Sequence, residues 1–169
     1  MKLSKKAEYA MRALLAMARA PETSTFAIQD IAASEHIPLK FLEQIFQTLK
    51  DAGLIESQRG KFGGYRLAKP AREIPIGAVV RLIDGPLAPI GCVSQSAYEK
   101  CSCPDETHCG LRMLMLDVRN AVAGILDRIA PDGRIERRQL HRKQLGGRGP
   151  QWQRHVQHER RHLHQIRRW

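Results

Sequence analysis

Hydrophobic residues in the first third of the chain recur at intervals of three and four, which predicts amphipathic helices. The first helix is predicted over residues 2–20, with Ser4 as its N-cap. A second helix over 26–37 and a third over 38–53 follow after short turns, and Gly53 ends the third with a left-handed cap. Two helices joined by a short turn form a helix-turn-helix pattern. The buried stripe of the third helix is predicted to contain Leu39, Leu42, Ile45, Phe46 and Leu49.

A β-hairpin is predicted directly after the third helix. The segment LIESQRGKFGGYRLA begins and ends with strand-like residues, over 54–57 and 65–67. Between them, QRGKFGG contains three glycines and two cations in seven residues, which is typical of a flexible, basic tip. A hairpin in this place is a wing, so the predicted fold is mainly α: a winged helix-turn-helix with a two-stranded β wing. Another short amphipathic helix is predicted over 74–85.

A long C-terminal helix is predicted from residue 109 to residue 129. Its apolar positions repeat in steps of three and four along the whole length. Such a seam can pack on the chain's own core or on a second subunit. We favour the second subunit, because the preceding winged helix does not need a further stripe of this extent. The predicted homodimer seam consists of Leu111, Leu114, Met115, Val118, Val122 and Ile125.

The positive charge of the chain is concentrated near its end. Of the formal net charge of +11, residues 131–169 contribute +8, from 11 Lys and Arg against 3 Asp and Glu. This segment also holds five of the seven histidines, which could bind metal, but a solvated, disordered basic tail is the favoured interpretation. A DNA-binding function must therefore rest on the pattern of the first 130 residues rather than on the overall charge.

Several classes of protein are disfavoured by the sequence. The amino-terminal stretch is interrupted by Glu8, Arg12 and Arg19, so we interpret it as an amphipathic helix and not as a signal peptide. No run of 18 apolar residues occurs, so no membrane span is predicted and a cytoplasmic protein is expected. The sequence has no phosphate-cradling glycine motif, no catalytic triad pattern and no C-x2-C redox motif, and we therefore do not predict an enzyme.

Polar side chains of the third helix and the wing have the chemistry to bind DNA. A glutamate can accept from the amino group of cytosine, and a glutamine can pair with adenine. Cations on the wing can hold phosphate or enter the minor groove. The alternative is that each of these exposed charges is merely solvated. The candidate DNA-binding residues are Lys40, Glu43, Gln44, Gln47, Arg59 and Lys61.

All four cysteines lie in the segment CVSQSAYEKCSCPDETHC, residues 92–109. In a reducing cytoplasm, such clustering favours metal or redox chemistry over a disulfide. Structural zinc usually takes two C-x2-C pairs, whereas the spacing here is C-x8-C-x-C-x5-C. An iron–sulfur cluster needs thiolates on a loop, and the helix that begins at residue 109 would stabilise a thiolate and an anionic cluster through its dipole. Bare redox-sensing thiols are the alternative.

The segments KFLEQIFQTLKDAGLIESQRGKFGGYRLA and MKLSKKAEYAMRALLAMA resemble the Rrf2 family of bacterial winged-helix regulators, which includes IscR-like and NsrR-like iron–sulfur regulators. The resemblance covers about residues 1–130. It implies a homodimer, joined by the long C-terminal helix, that binds a palindromic promoter site on double-stranded DNA. It also implies that Glu43 and Gln44 read bases and that Arg59 enters the minor groove.

The same resemblance implies a 2Fe–2S or 4Fe–4S cluster on three cysteines. The family spacing favours Cys92, Cys103 and Cys109, with Cys101 as the alternate for Cys103. Cys101 could instead be a resolving thiol that forms a disulfide after cluster loss.

The fourth ligand is left open by the resemblance. IscR-like members use a histidine three residues after the last cysteine, and that position is Arg112 here. NsrR-like members use an acidic residue of the first helix from the partner subunit, and Glu8 occupies the matching place. Glu8 could instead pair with Arg12 on the surface. The weaker candidates are His108, His36 and, as a fourth thiolate, Cys101.

These expectations divide the chain into four parts. They are a winged helix-turn-helix DNA-binding domain (1–85), a cysteine loop for the cluster (86–108), a dimerisation helix (109–130) and the basic tail (131–169). The predicted function is that of a dimeric DNA-binding transcriptional regulator that senses iron, redox state or nitric oxide through an iron–sulfur cluster, or alternatively through bare cysteine thiols.

Overall fold

The computed structural model describes residues 2–60 and 63–133. Within them the chain forms five α-helices and one two-stranded antiparallel sheet. In chain order these elements are α1 (Lys5–Ala18), α2 (Ile28–Ser34), α3 (Leu39–Asp51), β1 (Ile55–Gln58), β2 (Gly64–Leu67), α4 (Ile76–Asp84) and α5 (Gly110–Leu126). The prediction of a mainly α winged helix-turn-helix is confirmed. The predicted basic tail lies outside the described residues from residue 134 onward.

The described residues separate into two compact units. The first unit comprises residues 2–87 and 121–133, and the second comprises residues 88–120. The first unit contains α1 to α4, the sheet and the end of α5. The second contains the cysteine loop and the beginning of α5. Within residues 2–60 and 63–133, no helix is both long and apolar enough to cross a bilayer.

Helix α1 packs its small-residue face into the core of the first unit. Ser4 is the N-cap, as predicted, and its Oγ accepts from the backbone N–H of Ala7 at 3.0 Å. The N–H of Ser4 in turn donates to the carboxylate of Asp84 at 2.9 Å, which joins the start of α1 to the end of α4. The buried face of α1 consists of Ala7, Ala10, Ala13, Leu14 and Met17.

Helices α2 and α3 form the helix-turn-helix. His36 closes the turn between them with a φ of +54°, a left-handed conformation that is uncommon for a residue with a side chain. On α3 the predicted stripe is buried with one correction, because Leu39 in the first turn is 37% exposed. The rest of the stripe is fully buried, and it consists of Leu42, Ile45, Phe46 and Leu49. Gly53 follows α3 with a φ of +67°, which confirms the predicted left-handed cap.

The wing is the antiparallel pair of β1 and β2, in a register that places Ile55 opposite Leu67 and Gln58 opposite Gly64. The sheet edge is also bridged by Phe26, whose backbone exchanges two hydrogen bonds of 2.8 Å with Tyr65. Glycine is required at Gly64, because a Cβ there would lie 2.4 Å from the carbonyl oxygen of Phe26. The segment at Phe26 is therefore bonded to the wing beside β2, and the Tyr65 ring packs edge-on against Phe46 of α3, with 4.9 Å between ring centroids.

A second apolar cluster joins α4 to the end of α5 within the first unit. Its buried members are Ile76, Val80 and Leu87, and Ala123, Leu126 and Ile129 pack against them. At its border the guanidinium of Arg81 makes two hydrogen bonds to Asp127, of 2.6 and 2.9 Å. Gly77 lies directly beneath this pair, and a Cβ there would displace the Asp127 carboxylate from its present position. The end of α5 is thus fixed to α4 within the first unit.

Candidate functional site

One exposed face of α3 carries the polar residues that the sequence predicts for DNA. All four of them are exposed: Lys40, Glu43, Gln44 and Gln47. The side chain of Gln47 donates to the carboxylate of Asp51 at 2.7 Å, one turn further along the helix. The remaining three project from a helix whose opposite face is buried in the core, so their orientation is set by the packing of α3.

The wing tip follows β1. Arg59 is exposed there, and Gly60 takes a φ of +117° that a residue with a side chain rarely adopts. Gly63 closes the turn with a hydrogen bond of 2.9 Å to the carbonyl of Gly60. The other predicted contact of the tip, Lys61, lies outside the described residues. A helix-turn-helix followed by such a hairpin defines a winged-helix DNA-binding domain.

In the second unit the four cysteines line one cavity of about 300 Å³. Cys92 is buried in a short 3-10 turn over Gly91–Val93, whereas the other three thiols are partly exposed. The loop returns to this turn, because the N–H of Glu99 donates to the carbonyl of Gly91 at 3.2 Å. The sulfur atoms of Cys103 and Cys109 are 3.8 Å apart. The structure thus brings together all four thiols that the sequence placed on one loop.

The four thiols are in different electrostatic surroundings. Cys109 lies directly before α5, and the pKa of its thiol is lowered, chiefly because the backbone N–H of Arg112 donates to its sulfur. Hydrogen bonds with Cys101 and Cys109 raise the pKa of Cys103 to about 12. Burial raises the pKa of Cys92, and neighbouring Cys101 and Glu106 add to the effect. Of Cys92, Cys103 and Cys109, it is therefore Cys109 that most readily becomes a thiolate.

A polar network that the sequence analysis missed borders this cavity. Arg112, in the first turn of α5, lines the cavity and forms an ion pair with Glu106, with 3.2 Å between Nε and Oε1. The hydroxyl of Tyr98 donates to the same carboxylate at 2.8 Å. Glu99 also lines the cavity. The sequence analysis named Arg112 only as the residue that replaces a histidine ligand three positions after Cys109, and it predicted no ion pair for it.

The other predicted ligands have partners of their own. Glu8 lies on α1, where its carboxylate is 2.8 Å from Lys5 Nζ and 3.9 Å from Arg12 Nη1. Lys5 keeps the pKa of this carboxyl lowered. His108 pairs with Asp105 at 2.6 Å, and the ring of His36 lies 3.3 Å from the carbonyl of Ser34. In the described part of the chain, no three His, Cys, Asp or Glu side chains converge closely enough to hold a single metal ion.

Helix α5 presents an apolar stripe to solvent. All of its residues are described, and among them only Arg119 is buried. Four of the six predicted seam residues are between 39% and 56% exposed, and Met115 and Val122 are half-buried. The four that are exposed are Leu111, Leu114, Val118 and Ile125. Three of these repeat at intervals of seven, the spacing of a helix that packs lengthwise on another helix.

Comparison with known proteins gives the family. Residues 3–130 match the family model Rrf2, described as iron-dependent transcriptional regulator. A protein of Rhodobacter capsulatus named as an rrf2-like HTH-type transcriptional regulator is 41% identical over 120 residues, which cover 69% of this chain and 80% of the relative. The chain belongs to the Rrf2 family of transcriptional regulators. The predicted resemblance is confirmed, and the relatives are named as regulators rather than as enzymes.

Two further matches indicate the range of the family. The regulator IscR of Photobacterium profundum is 33% identical over 129 residues, covering 76% of this chain and 72% of that protein. Among solved structures, CymR of B. subtilis, titled the global cysteine regulator, superposes with a TM-score of 0.67 at 26% identity and covers 79% of this chain and 95% of that one.

Proposed function

We propose that the protein is a dimeric DNA-binding transcriptional regulator that senses iron, redox state or nitric oxide through an iron–sulfur cluster. The observation that carries this proposal is that all four cysteines line one cavity. The family's description as iron-dependent and the likeness to IscR support it.

The donor set fits such a cluster. Iron–sulfur clusters take thiolate ligands, and the four cysteines that line the cavity could supply them. The cysteines we assign as ligands are Cys92, Cys103 and Cys109, with Cys101 as the alternate for Cys103. Cys109 is the most readily ionised of them, because backbone N–H groups at the start of α5 stabilise its thiolate. When bound, the group would supply an iron centre whose charge and ligation respond to iron supply, electrons or nitric oxide.

We propose Glu8 of the partner subunit as the fourth ligand. Its carboxylate is 42% exposed and is held only by surface pairs with Lys5 and Arg12 among the described residues. Exposed ion pairs of this kind contribute little to stability, so Glu8 can give up Lys5 and Arg12 in order to bind the iron of the cluster. His108 and His36 remain the weaker candidates, since each of these rings already has a polar partner.

We propose that α3 enters the major groove and that the wing contacts the adjacent minor groove. Glu43 and Gln44 would read base edges, Lys40 and Gln47 would contact the groove or backbone, and Arg59 and Lys61 would hold phosphate or the minor groove. A two-fold dimer presents two such helices, which favours a palindromic promoter site. The exposed stripe of α5 supports a dimer joined through that helix.

The proposal divides the chain by role. Residues 1–85 would bind DNA, residues 86–108 would hold the cluster, and residues 109–130 would join the subunits. We expect the protein to act in the cytoplasm, where thiols are kept reduced and are therefore available to bind iron. The test is anaerobic purification followed by iron, sulfide and absorbance measurements. Stoichiometric iron and sulfide with visible absorbance are expected, whereas colourless protein from iron-replete cells would contradict the proposal.

A second candidate function is a regulator that uses bare thiols as its redox sensor. The contact between the sulfur atoms of Cys103 and Cys109 favours it, because an external oxidant that removes two electrons and two protons could join these neighbouring thiols, 3.8 Å apart, in a disulfide. The likeness to a protein titled a cysteine regulator is consistent with it. Iron-free protein whose promoter affinity changes reversibly with thiol oxidation would select this function over the first.

A further inference from the structure

Arg112 is placed on the wall of the cysteine cavity. Its side chain is 33% exposed, but its Nε is buried and makes no hydrogen bond to any residue that the structure describes. A buried donor without an acceptor is costly, so such groups in native proteins usually have a partner. The unpaired N–H therefore points to an acceptor in or beside the cavity.

Glu106 is not that acceptor. Its Oε1 forms an ion pair with Arg112 Nε at 3.2 Å, but this contact lacks the geometry of a hydrogen bond. The same carboxylate accepts from the hydroxyl of Tyr98 at 2.8 Å. Glu106 thus restrains the guanidinium electrostatically while it leaves the Nε donor free for another group.

Arg112 brings a positive charge to the cavity that the cysteines line. Arg112, Cys92 and Cys109 line this same cavity, and Arg112 lies in the first turn of the helix that directly follows Cys109. A nearby cation stabilises the thiolate form of a cysteine. The guanidinium is therefore placed to stabilise negative charge on thiolates in this cavity.

We propose that Arg112 is a positioning residue for the cluster: its guanidinium compensates the negative charge of the thiolate-bound group, and its Nε–H donates to sulfur at the cavity wall. This inference rests on the proposed function. A cation and an N–H···S hydrogen bond stabilise the reduced form more than the oxidised form, because reduction adds negative charge. Arg112 would therefore raise the reduction potential of the cluster, and Glu106 would lower it.

The test compares midpoint potentials in redox titrations of the anaerobically prepared full-length protein and four variants. Arg112→Gln removes the charge, and we expect a more negative potential together with faster cluster loss. Arg112→Lys keeps the charge, and a potential close to that of the wild type is expected. Glu106→Gln removes the opposing carboxylate, so its potential should become more positive. Lys100→Gln is the matched control, because Lys100 also lines the cavity but is exposed to screening solvent.

The outcomes separate this inference from the proposed function. Wild-type protein without iron and sulfide would overturn both, and that result is obtained before any variant is made. With the cluster present, equal potentials for wild type and Arg112→Gln would overturn the role of Arg112 alone. If Arg112→Gln cannot hold a cluster, the sign of the Glu106→Gln shift decides: a positive shift supports the inference, and no shift or a negative one overturns it.

Discussion

The sulfur atoms of Cys103 and Cys109 lie 3.8 Å apart, although one belongs to the loop and the other directly precedes α5. Their pKa values move in opposite directions, because Cys109 is stabilised as a thiolate by backbone N–H groups and Cys103 retains its proton. The pair therefore consists of one reactive sulfur and one protonated neighbour. This difference can be measured in the reduced protein without any cluster.

Thiol alkylation of reduced, cluster-free protein should distinguish the two cysteines by pH. The pKa of Cys109 is lowered, so its thiolate is present at a lower pH than for an ordinary cysteine, whereas that of Cys103 is raised to about 12. Mass spectrometry after iodoacetamide labelling should show Cys109 modified at a lower pH than Cys103, which should react only under strongly alkaline conditions. In Cys103→Ser, Cys109 should keep most of its reactivity, because the N–H of Arg112 remains. Superimposable pH profiles for the two thiols would contradict this assignment.

Substitution of Glu8 should affect the cluster without affecting the fold. Glu8→Gln removes the charged ligand, so a changed absorbance spectrum and faster cluster loss are expected. The thermal unfolding of the cluster-free protein should be nearly unchanged, since the pairs of Glu8 with Lys5 and Arg12 are exposed. Glu22→Gln is the matched control, because Glu22 is another exposed carboxylate that pairs with an arginine, Arg72. If the cluster of Glu8→Gln has the same absorbance spectrum and lifetime as that of the wild type, Glu8 is not a ligand of the cluster.

Removal of the cation at the wing tip should weaken DNA binding. Arg59→Ala is expected to cost about 1–3 kcal/mol of binding free energy if Arg59 makes a specific contact, which corresponds to roughly 5- to 150-fold in Kd. Titration of a palindromic promoter fragment at fixed salt measures this change. Arg72→Ala provides the comparison, since Arg72 is an exposed cation paired with Glu22 and not part of the predicted surface. If Arg59→Ala and the wild type bind the fragment with equal affinity, Arg59 does not contact the DNA.

A charge in the apolar stripe of α5 should break the dimer. Val118 is 39% exposed in the middle of the stripe, and Val118→Glu would place an unpaired carboxylate in a helix–helix contact. Analytical ultracentrifugation should then find monomers, whereas the neighbouring exposed substitution Asp117→Asn should leave the dimer intact. A Val118→Glu protein that sediments like the wild type would place the subunit contact elsewhere.

The helix-turn-helix and the wing could be predicted from sequence because their signals are local. Apolar periodicity marked the buried faces of α1 and α3, and glycines marked the cap at Gly53 and the wing tip. Leu39 was placed wrongly, because periodicity fixes the angle of a residue around the helix axis but not whether the core extends to its first turn. The bridge between Phe26 and Tyr65 was also missed, since a single pair of backbone hydrogen bonds leaves no pattern in the sequence.

The sequence predicted which cysteines form the candidate site, but it did not predict the polar residues around them. Four cysteines within eighteen residues are visible by inspection. The network of Tyr98, Glu106 and Arg112 depends instead on how an irregular loop returns to the start of α5, and irregular loops carry no period. For the same reason the sequence could not show that the sulfur of Cys103 contacts that of Cys109 while Cys92 is buried.

The most direct test of the central claim is iron and acid-labile sulfide analysis of anaerobically purified protein, made in parallel on wild type, Cys101→Ser and Cys103→Ser. Wild type and Cys101→Ser should contain stoichiometric iron and sulfide with visible absorbance, and Cys103→Ser should lose both. The converse result for the two variants would make Cys101 the ligand. Wild-type protein that is colourless and free of iron and sulfide, although expressed with ample iron, would contradict the iron–sulfur account and leave the thiols themselves as the sensor.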